Sequence, residues 1–97
     1  MNIGNAIRQI RIEKNISQGD LSGLVGISRT SLCQIEQGHK RPSTRNMTKI
    51  CNALEIPECL IYFYGFEESD TNVKKRKMYK VVYPAVMDMV RKLLLED

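Results

Sequence analysis

Hydrogen-bonding side chains gather on one face of a short helix that is predicted over residues 28–37. At about 100° per residue around a helix, Thr30, Gln34 and Gln37 lie opposite its apolar side, and Arg29 flanks them. Hydroxyl, amide and guanidinium groups of this kind form hydrogen bonds with base edges in the major groove of DNA. The chemistry that this face offers is therefore recognition of bases through hydrogen bonds.

Two short helices joined by a sharp turn would hold that face outward. Gly26 stands between them, where a tight turn needs a residue that tolerates a positive φ. Ser28 is a natural N-cap for the second helix, and Gly38 ends it. This arrangement over residues 18–37 is typical of a helix-turn-helix motif. The apolar positions that would bury one helix against the other are Leu21, Val25, Ile27, Leu32 and Ile35.

Helical patterns continue on both sides of the motif, and no stretch has a strand pattern. Apolar residues from Ile3 to Ile10 recur at helical spacing and predict a first helix. Ser43 caps a fourth helix, and Pro57 fits the first turn of a fifth. The sequence thus predicts an all-α fold. Its parts would be a five-helix domain over residues 1–65, a polar linker over 66–72 and a helical tail over 73–97.

The basic charge of the chain is concentrated in and beside the same motif. The net charge is +4, and residues 28–49 hold five basic residues against Glu36 alone, so this stretch accounts for the whole excess. DNA phosphates are the natural partners of such charges. Lys40, Arg41 and Arg45 follow the second helix of the motif, and we expect them to contact the phosphate backbone.

Residues 3–63 resemble the Cro/repressor (XRE) family of DNA-binding domains, over about two thirds of the chain. The resemblance implies a five-helix, lambda-repressor-like domain that binds operator DNA, usually as a dimer, and regulates transcription. Ser22 departs from the alanine that is usual at its position but is still small. The residues that carry the resemblance are Gln18, Leu21, Ser22, Gly26, Ser28, Leu32, Ile35, Glu36, Gly38, Arg41, Pro42, Ile56 and Pro57.

The position of each polar side chain in the motif predicts its role. Gln18, at a helix N-terminus, would bind a phosphate, as the resemblance also implies. Arg29, Thr30 and Gln34 lie near the start of the second helix, where this motif reaches base edges. Gln34 would pair with adenine, and Arg29 with guanine or a phosphate. The predicted DNA-binding set is Gln18, Ser28, Arg29, Thr30, Ser31, Gln34, Gln37, Lys40, Arg41 and Arg45.

Arg11 and Glu36 are assigned to the fold rather than to base reading. Each borders the apolar face of its helix, and the resemblance implies a partly buried salt bridge between the two. Removal of one partner should be costly, because it leaves the other charge buried alone.

The remaining chemistry-bearing residues argue against catalysis and metal binding. Three cysteines without a C-x-x-C pair, at positions 33, 51 and 59, predict reduced thiols rather than a disulfide framework or a zinc site. His39 is the only histidine, and no catalytic set or phosphate loop accompanies it. We expect no enzyme activity, no metal and no cofactor. No apolar run is long enough to span a bilayer, so a cytoplasmic protein without a membrane partner is expected.

The tail is more apolar than a solvent-exposed helix needs to be. A last helix is predicted over residues 84–96, with Pro84 in its first turn and seven apolar residues among thirteen. The basic run Lys74–Lys77 before it is interpreted as solvated rather than as a second nucleic-acid contact. The excess apolar surface predicts an interface, either with a second copy or with a partner protein. Its predicted residues are Val86, Met89, Val90, Leu93 and Leu94.

Together these features predict a sequence-specific transcriptional regulator, a repressor in our interpretation. It would bind double-stranded DNA at an inverted-repeat operator as a homodimer, through the helix at residues 28–37. The alternative is an antitoxin-type regulator whose tail covers a partner protein instead of a second copy.

Overall fold

Six α-helices form the part of the chain that the structure, a computed structural model, describes, namely residues 1–95 except the side chain of Leu94. No strand occurs within those residues, and the predicted all-α class is confirmed. Two short 3₁₀ turns, Glu68–Asp70 and Val73–Lys75, precede the last helix. The helices are α1 (Ile3–Glu13), α2 (Gln18–Val25), α3 (Arg29–Glu36), α4 (Thr44–Leu54), α5 (Glu58–Gly65) and α6 (Arg76–Leu94).

Serine side chains begin three of these helices. The hydroxyls of Ser17, Ser28 and Ser43 each accept a hydrogen bond from the backbone N–H three residues later, which satisfies a donor that has no partner within the helix. Gly26 ends α2 with φ at 82°, a left-handed conformation that glycine adopts without a steric penalty. The serine caps and this turn fix how α3 leaves α2.

The core lies where α1 to α5 meet, and one glycine lets two of these helices approach closely. A Cβ atom on Gly4 would lie 2.2 Å from the carbonyl oxygen of Ile35, so α1 rests directly on the last turn of α3. The core residues are Ala6, Ile7, Ile10, Leu21, Val25, Leu32, Ile35, Met47, Ile50, Cys51, Leu54, Ile56, Leu60 and Ile61.

The last helix begins earlier than predicted. α6 starts at Arg76 and carries Pro84 in its interior, so the predicted start at Pro84 is wrong. Proline lacks an N–H and therefore removes one helical hydrogen bond. Aromatic packing stabilises the early turns in compensation, since the rings of Tyr79 and Tyr83 stack at 4.7 Å and both lie against Phe66.

The second half of α6 is attached to the first five helices. Met87 is buried, and Val90 packs against the core. Nε of Arg91 lies 3.4 Å from Oε1 of Glu13, and it donates to the hydroxyl of Tyr64, which in turn donates to the other oxygen of Glu13. This cluster holds the tail against the end of α1.

Candidate nucleic-acid interface

The exposed face of α3 brings together the side chains that the sequence predicts as base readers. Arg29, Thr30 and Gln34 are exposed. With Gln18 and Gln37 they line a shallow groove of about 450 Å³ between the start of α2 and α3. The groove presents amide, hydroxyl and guanidinium groups on a helix that a major groove admits.

A buried ion pair lies directly behind this groove. Arg11 donates from Nε to Oε2 of Glu36 over 2.8 Å and from Nη2 to Oε1 over 3.0 Å. Both residues are buried, and Arg11 also donates to the carbonyl of Ile16 over 2.9 Å. The two parallel hydrogen bonds are the strong geometry for a guanidinium and a carboxylate. They join α1 to the last turn of the candidate reading helix.

Glu36 also accepts a hydrogen bond from Gln18. Sequence reasoning did not predict this contact. Nε2 of Gln18 donates to Oε1 of Glu36 over 3.1 Å. An amide nitrogen carries two hydrogens, so this contact leaves one donor for an acceptor outside the protein. No spacing pattern signals the contact, because it depends on how closely the start of α2 approaches the end of α3.

Three of the candidate contact residues also form hydrogen bonds with one another. The hydroxyl of Ser28 accepts from the N–H of Ser31 over 3.0 Å as the cap of α3. Nζ of Lys40 donates to the hydroxyl of Ser31 over 3.1 Å. This bond folds the loop after α3 back toward the start of that helix, so a cation lies beside the groove.

Two more exposed cations, Arg41 and Arg45, follow Lys40 in the sequence. Arg41 and Arg45 are exposed in the loop after α3 and in the first turn of α4. Neither forms a salt bridge within residues 1–95. Both therefore remain available to an external anion.

The cysteines and the remaining titratable groups suggest no second kind of site. Cys33 lines the groove and is half-buried, Cys59 is exposed, and burial with nearby Glu58 raises the pKa of Cys51 to about 11. Among residues 1–95, no three His, Cys, Asp or Glu side chains are placed to hold a metal ion. Over the same residues, no helix is both long and apolar enough to cross a membrane.

The structure divides the predicted tail interface between two sides of α6. Val86, Met89 and Leu93 are exposed, whereas Val90 packs against the core. The side chain of Leu94 lies outside the described residues.

Comparison with known proteins identifies relatives with a role in control. A family model described as Helix-turn-helix matches residues 7–61. The chain is 38% identical over 54 residues to the ImmF control region 10 kDa protein of Bacillus phage phi105, a match that covers 56% of this chain and 60% of that protein. The chain thus aligns with less than two thirds of that relative's length.

Two solved structures have a similar fold. The restriction-modification controller protein C.AhdI from Aeromonas hydrophila gives a TM-score of 0.60 at 30% identity, covering 62% of this chain and 91% of that one. The clp gene regulator ClgR from Corynebacterium glutamicum gives a TM-score of 0.64 at 21% identity, covering 95% of this chain and 86% of that one. The second likeness is one of fold alone. The match over residues 7–61 spans more than half of the chain, which therefore belongs to the XRE-type helix-turn-helix family of DNA-binding transcription regulators.

Proposed function

We propose that this chain is a repressor that binds an inverted-repeat operator as a homodimer. The observation that carries the proposal is the groove between α2 and α3, where Gln18, Arg29, Thr30 and Gln34 lie together. One such groove spans a single half-site. A two-fold symmetric pair would place two reading helices in successive major grooves, roughly 34 Å apart.

Each side chain has a distinct task in this proposal. Thr30 and Gln34 contact base edges, with Gln34 pairing to adenine, while Arg29 pairs with guanine or a phosphate. Gln18 binds a phosphate with the N–H that Glu36 leaves unused. The base contacts would give sequence preference, and the phosphate contact would fix the position of the protein on the duplex.

The basic residues after α3 supply affinity without sequence preference. Lys40, Arg41 and Arg45 are exposed cations, and contacts with phosphates release counterions irrespective of sequence. We therefore expect affinity for every duplex to fall steeply as the salt concentration rises.

The role in regulation is supported by what two relatives are called, and the repressor direction is proposed from the small size of the domain. One relative is named for a control region, and a structural relative is named a controller protein. A dimer of a domain this small binds over a short operator and would repress by occupying a promoter. A reporter gene placed behind an operator that the chain binds should lose expression when the chain is produced. A gain in expression would overturn the repressor assignment.

Selection of bound fragments from random duplex DNA tests the binding proposal. We expect an enriched inverted repeat whose half-sites lie about one helical turn apart. The double variant Thr30→Ala with Gln34→Ala should lose the preferred sequence, whereas Lys40→Ala should weaken all sequences alike. Unchanged sequence preference in the double variant would refute the base-reading assignment.

A further inference from the structure

α6 carries a second apolar stripe, here called the outer stripe, on the flank beside the side that packs against the domain. Tyr79, Tyr83 and Met87 point toward the domain. The outer stripe recurs at intervals of four, four, three and four residues, which keeps it on one helical face. Its members are Met78, Val82, Val86, Met89 and Leu93, which are 63%, 46%, 37%, 70% and 81% exposed.

A groove beside this stripe has room for side chains from a partner. Val82 and Val86 also line an apolar groove of about 320 Å³, which Phe63 and Phe66 line as well. An apolar cavity of roughly 150 Å³ holds a benzene-sized group, so the groove has room for two aliphatic side chains. The outer stripe and the groove form one continuous apolar surface.

The outer stripe is symmetric about its own midpoint. Met78 and Leu93 lie equally far along the sequence from the point between Ala85 and Val86, and so do Val82 and Met89. A two-fold axis perpendicular to a helix brings such positions opposite one another in an antiparallel pair. The surface is thus complementary to itself, which favours a second copy as its occupant.

Charge selects the antiparallel orientation. The exposed cations Lys74, Lys75, Arg76 and Lys77 lie at one end of α6. A parallel pair would bring two such clusters together, within the screening length of about 8 Å at physiological salt. An antiparallel pair separates them by nearly the length of α6, which for its 19 residues is roughly 28 Å.

The other end of α6 has its cations paired with acids. Nζ of Lys92 lies 3.2 Å from a carboxylate oxygen of Asp88, and Arg91 pairs with Glu13. The basic cluster of a second copy would therefore meet compensated charges there rather than another cluster of cations.

We propose that α6 pairs antiparallel with α6 of a second copy around a two-fold axis between Ala85 and Val86. The pairing sets Val82 against the partner subunit's Met89 and Met78 against the partner subunit's Leu93. Ala85 has no side chain beyond Cβ, and it lets the two helices approach closely at their crossing point. This interface rests on the proposed homodimer and specifies its face, orientation and register.

Cysteine crosslinking tests the register in the full-length chain. Every crosslinking variant is made in a chain that carries Cys33→Ser and Cys59→Ser. The native Cys51 is kept because it is buried. Position 85 lies beside its own copy across the axis, so the Ala85→Cys variant should form a disulfide-linked dimer under mild oxidation. The Val82→Cys variant should crosslink at least about tenfold more slowly, because seven residues of helix, roughly 10 Å, exceed the reach of a disulfide.

A matched pair of variants separates the two orientations. Val82→Cys combined with Met89→Cys should crosslink as readily as Ala85→Cys, although neither does so alone. In a parallel pair, Val82→Cys alone would crosslink, and that result would overturn the orientation. Leu24→Cys, on an exposed residue of α2, is the control for random collision, and circular dichroism verifies that each variant is folded.

Sedimentation of the wild-type chain distinguishes failure of the α6 interface from failure of the homodimer proposal. A dimer in which no α6 variant crosslinks would refute this interface and leave the operator proposal standing. A monomer at every concentration, with DNA binding intact, would refute the homodimer and favour a partner protein on α6.

Discussion

Gln18 and Arg11 share one carboxylate oxygen. Oε1 of Glu36 accepts from Nε2 of Gln18 over 3.1 Å and from Nη2 of Arg11 over 3.0 Å. The same oxygen therefore belongs both to the buried ion pair that joins α1 to α3 and to the positioning of a candidate phosphate contact. Stability and DNA affinity should respond differently when each of the three residues is changed.

Glu36→Gln should strongly destabilise the fold. The change leaves the guanidinium of Arg11 buried without a countercharge, and loss of one partner from a buried pair costs about 3–5 kcal/mol. The free energy of unfolding in urea measures the effect. Replacing both partners, with Arg11→Met and Glu36→Leu, should recover much of the loss, because no charge is then stranded. If Glu36→Gln unfolds at the wild-type urea concentration, the ion pair does not stabilise the fold.

Gln18→Ala should weaken DNA binding while largely preserving stability. Gln18 is half-buried and contributes one hydrogen bond to the network, worth about 1 kcal/mol of stability. Because phosphates carry no sequence information, affinity should fall by a similar factor on operator and random duplexes. Fluorescence anisotropy with both duplexes measures this. A loss confined to the operator would make Gln18 a base reader instead.

Gly4→Ala and Gly23→Ala should have opposite effects on stability. The Cβ of the first variant would meet the carbonyl oxygen of Ile35 at 2.2 Å, and overpacking of this kind costs about 1–3 kcal/mol. The Cβ of the second would meet nothing within 4 Å, so higher helix propensity should stabilise by about 0.5–1 kcal/mol. Thermal melts of the two variants provide the comparison. Equal melting temperatures would contradict the close approach of α1 to α3.

Stability should fall at alkaline pH. Burial, with the hydrogen bond to Glu13 next in importance, raises the pKa of Tyr64 to about 12, whereas an unfolded tyrosine ionises near 10. The unfolded chain therefore loses the Tyr64 proton at a lower pH than the folded protein does. The stability that protonated Tyr64 contributes is full below pH 10 and disappears as pH rises toward 12. Tyr64→Phe should flatten the decline in unfolding free energy above pH 10.

Tyr62→Phe is the matched control for that measurement. Tyr62 is exposed and donates only to Glu58 on its own helix, so its removal should leave most of the alkaline decline in place. An identical decline in wild type and Tyr64→Phe would show that the Glu13–Tyr64–Arg91 cluster does not couple to folding.

Local signals in the sequence were sufficient to predict the first five helices. Ser17, Ser28 and Ser43 act through the backbone N–H groups three residues away, and Gly26 through its own φ. Such effects are contained within a few residues. A helix-turn-helix with a polar outer face on α3 therefore follows from spacing alone.

The features that sequence reasoning missed depend on contacts between distant segments. Helix α6 continues through Pro84, and Tyr79 and Tyr83 in the turns before it pack against Phe66, a contact that no local pattern contains. Periodicity placed Val90 on an apolar face without indicating which neighbour covers it, and the core does. The contact between Gln18 and Glu36 likewise required the packing of α2 against α3.

The attachment of Arg91 to Glu13 and Tyr64 has a consequence for DNA phasing. It joins α6 to α1, and the Arg11–Glu36 pair joins α1 to α3. α6 and α3 therefore have little freedom to move relative to each other. In the proposed dimer joined through α6, the two copies of α3 would be fixed in rotation as well as in distance. One base pair inserted between half-sites turns one of them by roughly 35° around the duplex, and a rigid protein would have to twist either itself or the DNA to follow.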